Sequence, residues 1–113
     1  MTLPRPIPAE LADLIAARMR VIGDPTRIRL LDALRDGERS VAELTEALGT
    51  SQQNVSKHLG VLLSAGIVSR RKEGTSAYYA IADPTVFELC EQICGSLRTQ
   101  LEELTALVDG TLR

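Results

Sequence analysis

The stretch that decides the fold runs Ser40-Val41-Ala42-Glu43-Leu44-Thr45-Glu46-Ala47-Leu48-Gly49, then Thr50-Ser51-Gln52-Gln53-Asn54-Val55-Ser56-Lys57-His58-Leu59, then Gly60-Val61-Leu62-Leu63-Ser64-Ala65-Gly66. Val41, Leu44 and Leu48 recur at helical spacing, as do Val55, Leu59, Leu62 and Leu63. Ser40 with Glu43 reads as a capping box; Thr50 with Gln53 permits a second, with Ser51 competing as the cap. Gly49 and Gly66 follow the apolar runs, where a left-handed residue ends a helix. Residues 41–65 therefore read as a helix-turn-helix. Neither helix is long enough to be stable alone, so both must pack.

The flanks carry the same punctuation. Leu11, Leu14, Ile15, Arg18 and Ile22 predict a helix over 8–22. Asp24-Pro25 opens another, running to about Asp36 with Ile28, Leu31 and Leu34 inward, and Gly23 and Gly37 are expected as left-handed ends. Residues 67–82 change character. Val68 to Lys72 lead into Glu73-Gly74-Thr75-Ser76 and then Ala77 to Ile81, a β-hairpin whose short arms need a helical base. Asp83-Pro84 starts the last helix, 84–108, roughly 36 Å long at 1.5 Å per residue. The expected fold is mainly α with a small β-hairpin: one winged helix-turn-helix domain over 1–113, about five α-helices plus a two-stranded wing.

Composition narrows the function. The 113 residues are 44% hydrophobic and only 3% aromatic with no tryptophan, so Leu, Ile, Val and Ala must build the core. No run approaches the ~20 apolar residues of a membrane span, and Met1 to Pro8 lacks a signal-peptide pattern. A cytoplasmic protein with reduced cysteines and no membrane partner is expected. The net charge of −2 hides an uneven distribution: residues 50–82 carry +3, between a −1 amino part and a −4 carboxyl part. No acid–base pair surrounds the sole histidine, and there is no glycine-rich phosphate loop, so an enzyme is not expected.

The second helix of the pair is suited to reading DNA. Ser51, Gln52, Gln53, Asn54, Ser56, Lys57 and His58 crowd its amino-terminal half, offering donors to phosphates and base edges. Arg70, Arg71 and Lys72 approach the Gly74 turn, with Thr75 at the tip, as a basic wing against the duplex backbone or minor groove.

With these residues in place, the chain resembles the arsenic-repressor (ArsR/SmtB) family of winged-helix transcription regulators. The resemblance spans roughly Val21 to Leu107. It rests on Gly23-Asp24-Pro25-Thr26-Arg27 with Leu30-Leu31, Ser40-Val41-Ala42-Glu43-Leu44, Ser56-Lys57-His58-Leu59, Val61-Leu62, Ala65-Gly66-Ile67-Val68, Arg71, Gly74 and Tyr78-Tyr79. It implies a homodimer on an imperfectly palindromic operator, with repression the commoner behaviour and an effector that changes DNA affinity.

The sequence offers its own dimer surface. Val86, Leu89, Cys90, Ile93, Leu97, Leu101, Leu104 and Val108 form a stripe on the last helix, and Leu11, Leu14, Ile15 and Met19 add the first. The cysteine pair of the third helix and the histidine ligands of the last helix found in many relatives are absent. Cys90 and Cys94, four apart on one helix face, stay open to three roles: core packing, ligation of a transition metal such as nickel or zinc, and thiol redox sensing. Three alternatives also stand: a winged-helix protein-interaction module, an effector-independent regulator, and an activator working with a metal-binding co-regulator. Charge reversal on the wing separates a DNA reader from a protein adaptor.

Overall fold

Side-chain oxygens start the three inner helices. Asp24 accepts from the backbone N–H groups of Thr26 (2.9 Å) and Arg27 (3.1 Å) and opens a helix at Pro25–Ala33. Ser40 and Glu43 exchange both bonds of the capping box at Val41–Leu48. Ser51, rather than Thr50, caps Gln52–Ser64 by accepting from the Asn54 N–H, while the Thr50 hydroxyl accepts from the Asn54 side chain. The computed structural model describes residues 1–110. In chain order its elements are α1 (Ala9–Ile22), α2 (Pro25–Ala33), β1 (Arg39–Ser40), α3 (Val41–Leu48), α4 (Gln52–Ser64), β2 (Val68–Glu73), β3 (Ser76–Ile81) and α5 (Thr85–Val108).

The Asp24 cap has a pH signature. The Arg27 backbone N–H, foremost among several contacts, holds the Asp24 carboxyl below its ordinary value. A depressed carboxyl contributes fully above its unfolded pKa, and that contribution is lost as pH falls through the folded value. Asp24→Ala is expected to lower unfolding free energy in urea by about 1 kcal/mol at neutral pH. The gap to wild type should close below about pH 4. A gap that persists in acid would place the effect elsewhere.

Three of the four helix-ending glycines behave as expected, with positive φ at Gly37, Gly49 and Gly66. Gly23 does not: its φ is −77°, and a Cβ there would stand 2.9 Å from the Met19 carbonyl oxygen. Close approach, rather than left-handed backbone, is what demands glycine. Gly60 lies inside α4, and a Cβ there would meet nothing within 4 Å. Gly60→Ala is therefore expected to raise stability by about 0.5–1 kcal/mol, read from the urea midpoint.

The core lies where α4 packs on α2 and α3, with Leu30, Leu31, Leu34, Leu44, Val55, Leu59, Leu62 and Ile67 buried. Ile28, expected inward, is 43% exposed, because Leu30 and Leu31 on α2 and Leu34 at its C-cap are the residues buried there instead. The helix also stops at Ala33, short of Asp36. Arginines finish several helix ends: Arg18 donates to the Ala65 carbonyl, Arg29 to Leu48 (3.1 Å) and Arg39 to Ala33 (2.8 Å). Cations near the last carbonyls of a helix satisfy acceptors that have no partner within it.

The sheet has three strands, ordered β1–β3–β2 and antiparallel, rather than the two of the expected wing. Arg39 and Ser40 pair with Tyr79 and Tyr78. Two residues are too few to show a period, which is why β1 escapes a sequence reading. The expected hairpin forms, and its register runs from Val68 with Ile81 to Glu73 with Ser76.

The described residues form two compact units, Met1–Asp83 and a second starting at Pro84. The second is essentially α5. Pro84 stands at its cap position rather than in its first turn. Asp83, the expected capping residue, belongs to the first unit, where it accepts from Arg18 at 2.6 Å. Among the described residues no helix is long and apolar enough to cross a membrane.

Candidate nucleic-acid interface

The two sides of α4 have different chemistry. Val55, His58, Leu59 and Leu62 are buried, whereas Ser51, Gln52, Gln53, Ser56 and Lys57 are exposed at its amino-terminal end. The exposed row offers two amides, two hydroxyls and one ammonium group from a helix held rigidly by its opposite side. Such a row matches the groups that bind duplex DNA, with amides to base edges and lysine to phosphate. Asn54 is half-buried, with its side-chain amide engaged by Thr50.

His58 is not brought to this face. It is 7% exposed, its Nδ1 accepts from the Arg27 guanidinium at 3.0 Å, and Asp24 Oδ1 lies 3.9 Å from the same nitrogen. Arg27 also donates to the carbonyls of Val21 and Arg20. The histidine thus links the middle of α4 to the corner between α1 and α2. Helical spacing already hints at this, since position 58 falls beside Val55, Leu59 and Leu62. The neighbourhood of Asp24 and Arg27, more than thirty residues away, is not visible from spacing.

The wing residues Arg70, Arg71, Lys72 and Thr75 are all exposed, but strand alternation divides the cations. Arg70 and Lys72 share the side of β2 that carries buried Val68, opposite Tyr79 and Ala77. Arg71 faces the other way. Its guanidinium donates to Glu38 (2.6 and 3.2 Å) and Glu73 (2.7 Å) and lies 4.9 Å from the Tyr78 ring centroid. Hydrogen bonding to Glu38, then Glu73, raises the Arg71 pKa further, and the same contact lowers that of Glu38. The three cations expected as one cluster are therefore not equivalent.

The apolar surfaces are equally specific. Leu14 and Met19 on α1 are exposed while Leu11 and Ile15 are half-buried. On α5, Ile93, Leu97, Leu101 and Leu104 are each more than half exposed, Leu89 is half-buried, and Val86 is buried and so absent from the open stripe. Cys90 is half-buried and Cys94 exposed. Among the described residues no group of three or more His, Cys, Asp or Glu side chains is placed to hold a metal. Two thiols alone do not complete a zinc- or nickel-type coordination shell.

Comparison with known proteins agrees with this geometry. A family described as a helix-turn-helix domain matches residues 22–71. A probable mercury resistance operon repressor of Streptomyces lividans is 41% identical over 74% of this chain and 66% of its own length. The transcriptional repressor SmtB of Mycobacterium tuberculosis is 38% identical over 73% of this chain and 61% of its own length. The chain thus spans less than two thirds of these curated relatives. A homodimeric winged helix-turn-helix DNA-binding domain from Mycobacterium bovis, a possible ArsR-family transcriptional regulator, superposes with a TM-score of 0.70 at 34% identity. That superposition covers 84% of this chain and 88% of the other. The chain belongs to the ArsR/SmtB family. Its five helices and antiparallel sheet are the winged helix-turn-helix of that family, and the matched region includes α2, α3, α4 and the start of β2. As an ArsR/SmtB protein it groups with transcriptional regulators rather than with enzymes.

Proposed function

We propose that the chain is a homodimeric, sequence-specific DNA-binding regulator that represses transcription and answers to an effector. The observation that carries this is the exposed row Gln52, Gln53, Ser56 and Lys57 on a helix whose reverse side is locked in the core. The wing adds cations beside that helix, and the open stripe on α5 supplies a surface that a second copy would cover. Pairing two subunits would set two reading helices one DNA turn apart. Gel shift with the intergenic DNA upstream of the gene should show selective binding that weakens steeply with salt. Absence of selective binding at low salt would remove this proposal.

Effector sensing is assigned to Cys90 and Cys94. Their support is spacing and access: two sulfurs four residues apart on one helix, one exposed and one half-buried. Because no third His, Cys, Asp or Glu joins the two thiols among the described residues, a nickel or zinc site would draw on the second subunit. Titrating reduced protein with a metal panel is expected to shift DNA affinity by roughly 5- to 150-fold, the usual range of allosteric coupling. Cys90→Ser and Cys94→Ser should abolish that shift; variants that respond like wild type would return both cysteines to a packing role.

A further inference from the structure

The wing carries three consecutive cations, yet only two have the electrostatics to meet a polyanion. Arg71 is held between Glu38 and Glu73 and stacked on Tyr78, so this cluster of one cation and two carboxylates sums to a charge of −1. A phosphate approaching it meets a net negative surface whose strongest donor group is already engaged. Arg70 and Lys72 project from the opposite side of β2, and among the described residues no ion pair engages either. Their side of the hairpin continues from Val68 and Tyr79, both buried, and β2 packs against α4.

We infer that Arg71 is an internal anchor that sets the angle of the wing, and that Arg70 and Lys72 on the other face are the wing's phosphate contacts. This rests on the DNA-binding reading above and divides its work within the wing. The anchor has a long lever. Glu38 lies 33 residues from Arg71, just before β1, so the ion pair joins the hairpin to the segment that leads into α3. Tyr78 gives the guanidinium a face to lie on, and cross-strand pairing of Arg71 with Tyr78 fixes the register of that contact. A positioning role needs a complementary partner at position 38 and no like charge from position 73, whereas a phosphate contact needs a cation at position 71.

Charge exchange separates the two roles. Binding of the full chain to upstream intergenic duplex is measured by fluorescence anisotropy across a salt series, with thermal melts confirming that each variant folds. Arg70→Ala with Lys72→Ala is expected to flatten the log–log salt slope by about 2, one for each lost phosphate contact. Arg71→Glu alone should weaken binding. Arg71→Glu combined with Glu38→Arg and Glu73→Gln rebuilds the pair in reverse without a second carboxylate facing position 71, and should return affinity to within about fivefold of wild type, the scale of an exposed ion pair. With Glu73 removed from the exchange, a variant as weak as Arg71→Glu alone, or one whose salt slope is flattened by about one, would show that Arg71 touches phosphate and overturn the inference. An Arg70, Lys72 double variant with the wild-type slope would overturn it as well. If wild type shows no selective, salt-dependent binding, the DNA reading itself fails and this division of labour falls with it.

Discussion

Leu101→Asp is expected to convert the protein from a dimer to a monomer and to lower affinity for operator DNA by about 100-fold or more, the scale lost when two linked half-site contacts become one. Leu101 sits in the middle of a row, Ile93, Leu97, Leu101 and Leu104, whose members are 51–63% exposed in a single chain. Fully burying one leucine is worth about 1.5–3 kcal/mol, so covering half of each of four side chains on two copies supplies several kcal/mol toward association. A carboxylate in that row must be desolvated without a partner, which opposes pairing. The folded chain should survive, because Leu101 is already largely in water. Sedimentation velocity reads the first effect and gel shift the second. A variant that sediments like wild type, or a monomer that binds as tightly, would show that the stripe on α5 does not hold the two reading helices together.

Leu59→Ala gives the opposite separation of effects. Leu59 is fully buried in α4, on the side that packs against α2 and α3. Removing most of its side chain loses transfer free energy and leaves a cavity, at a cost of about 3 kcal/mol. A domain of this size holds roughly 5–15 kcal/mol in total, so the melting temperature should fall by about 15 °C. Gln53→Ala, on the exposed side of the same helix, should leave the melt within about 0.5 kcal/mol of wild type while weakening selective DNA binding. A Leu59→Ala cost below about 1 kcal/mol would mean that α4 is not held by its apolar face. Together the pair tests whether one helix divides its work between core and ligand.

The two largest effects were legible to different degrees. Val55, Leu59 and Leu62 announce themselves by spacing, and all three are buried. The α5 stripe is equally periodic, but periodicity did not show that Val86 is already covered while Leu97 and Leu101 stay open. His58 illustrates the same gap. Its place among apolar neighbours is readable from spacing, yet the polar helix start beside Lys57 groups it with the expected DNA contacts. Arg27, from a different helix, donates to its Nδ1 and gives the buried ring a partner.

What the chain order alone determined is the set of helices, the caps of the three inner ones, the hairpin and the polar start of α4. Those features depend on contacts within a turn or two, namely a 3.6-residue period, Asp24, Ser40 and Ser51 as caps, and Gly74 at a turn. Tertiary structure decided which polar residues remain available. Arg71 is neutralised by Glu38 across 33 residues, His58 is drawn inward by Arg27 across 31, and β1 exists only because β3 passes beside it. Burial and charge pairing are set by whatever packing brings close, and separation along the chain carries no record of it.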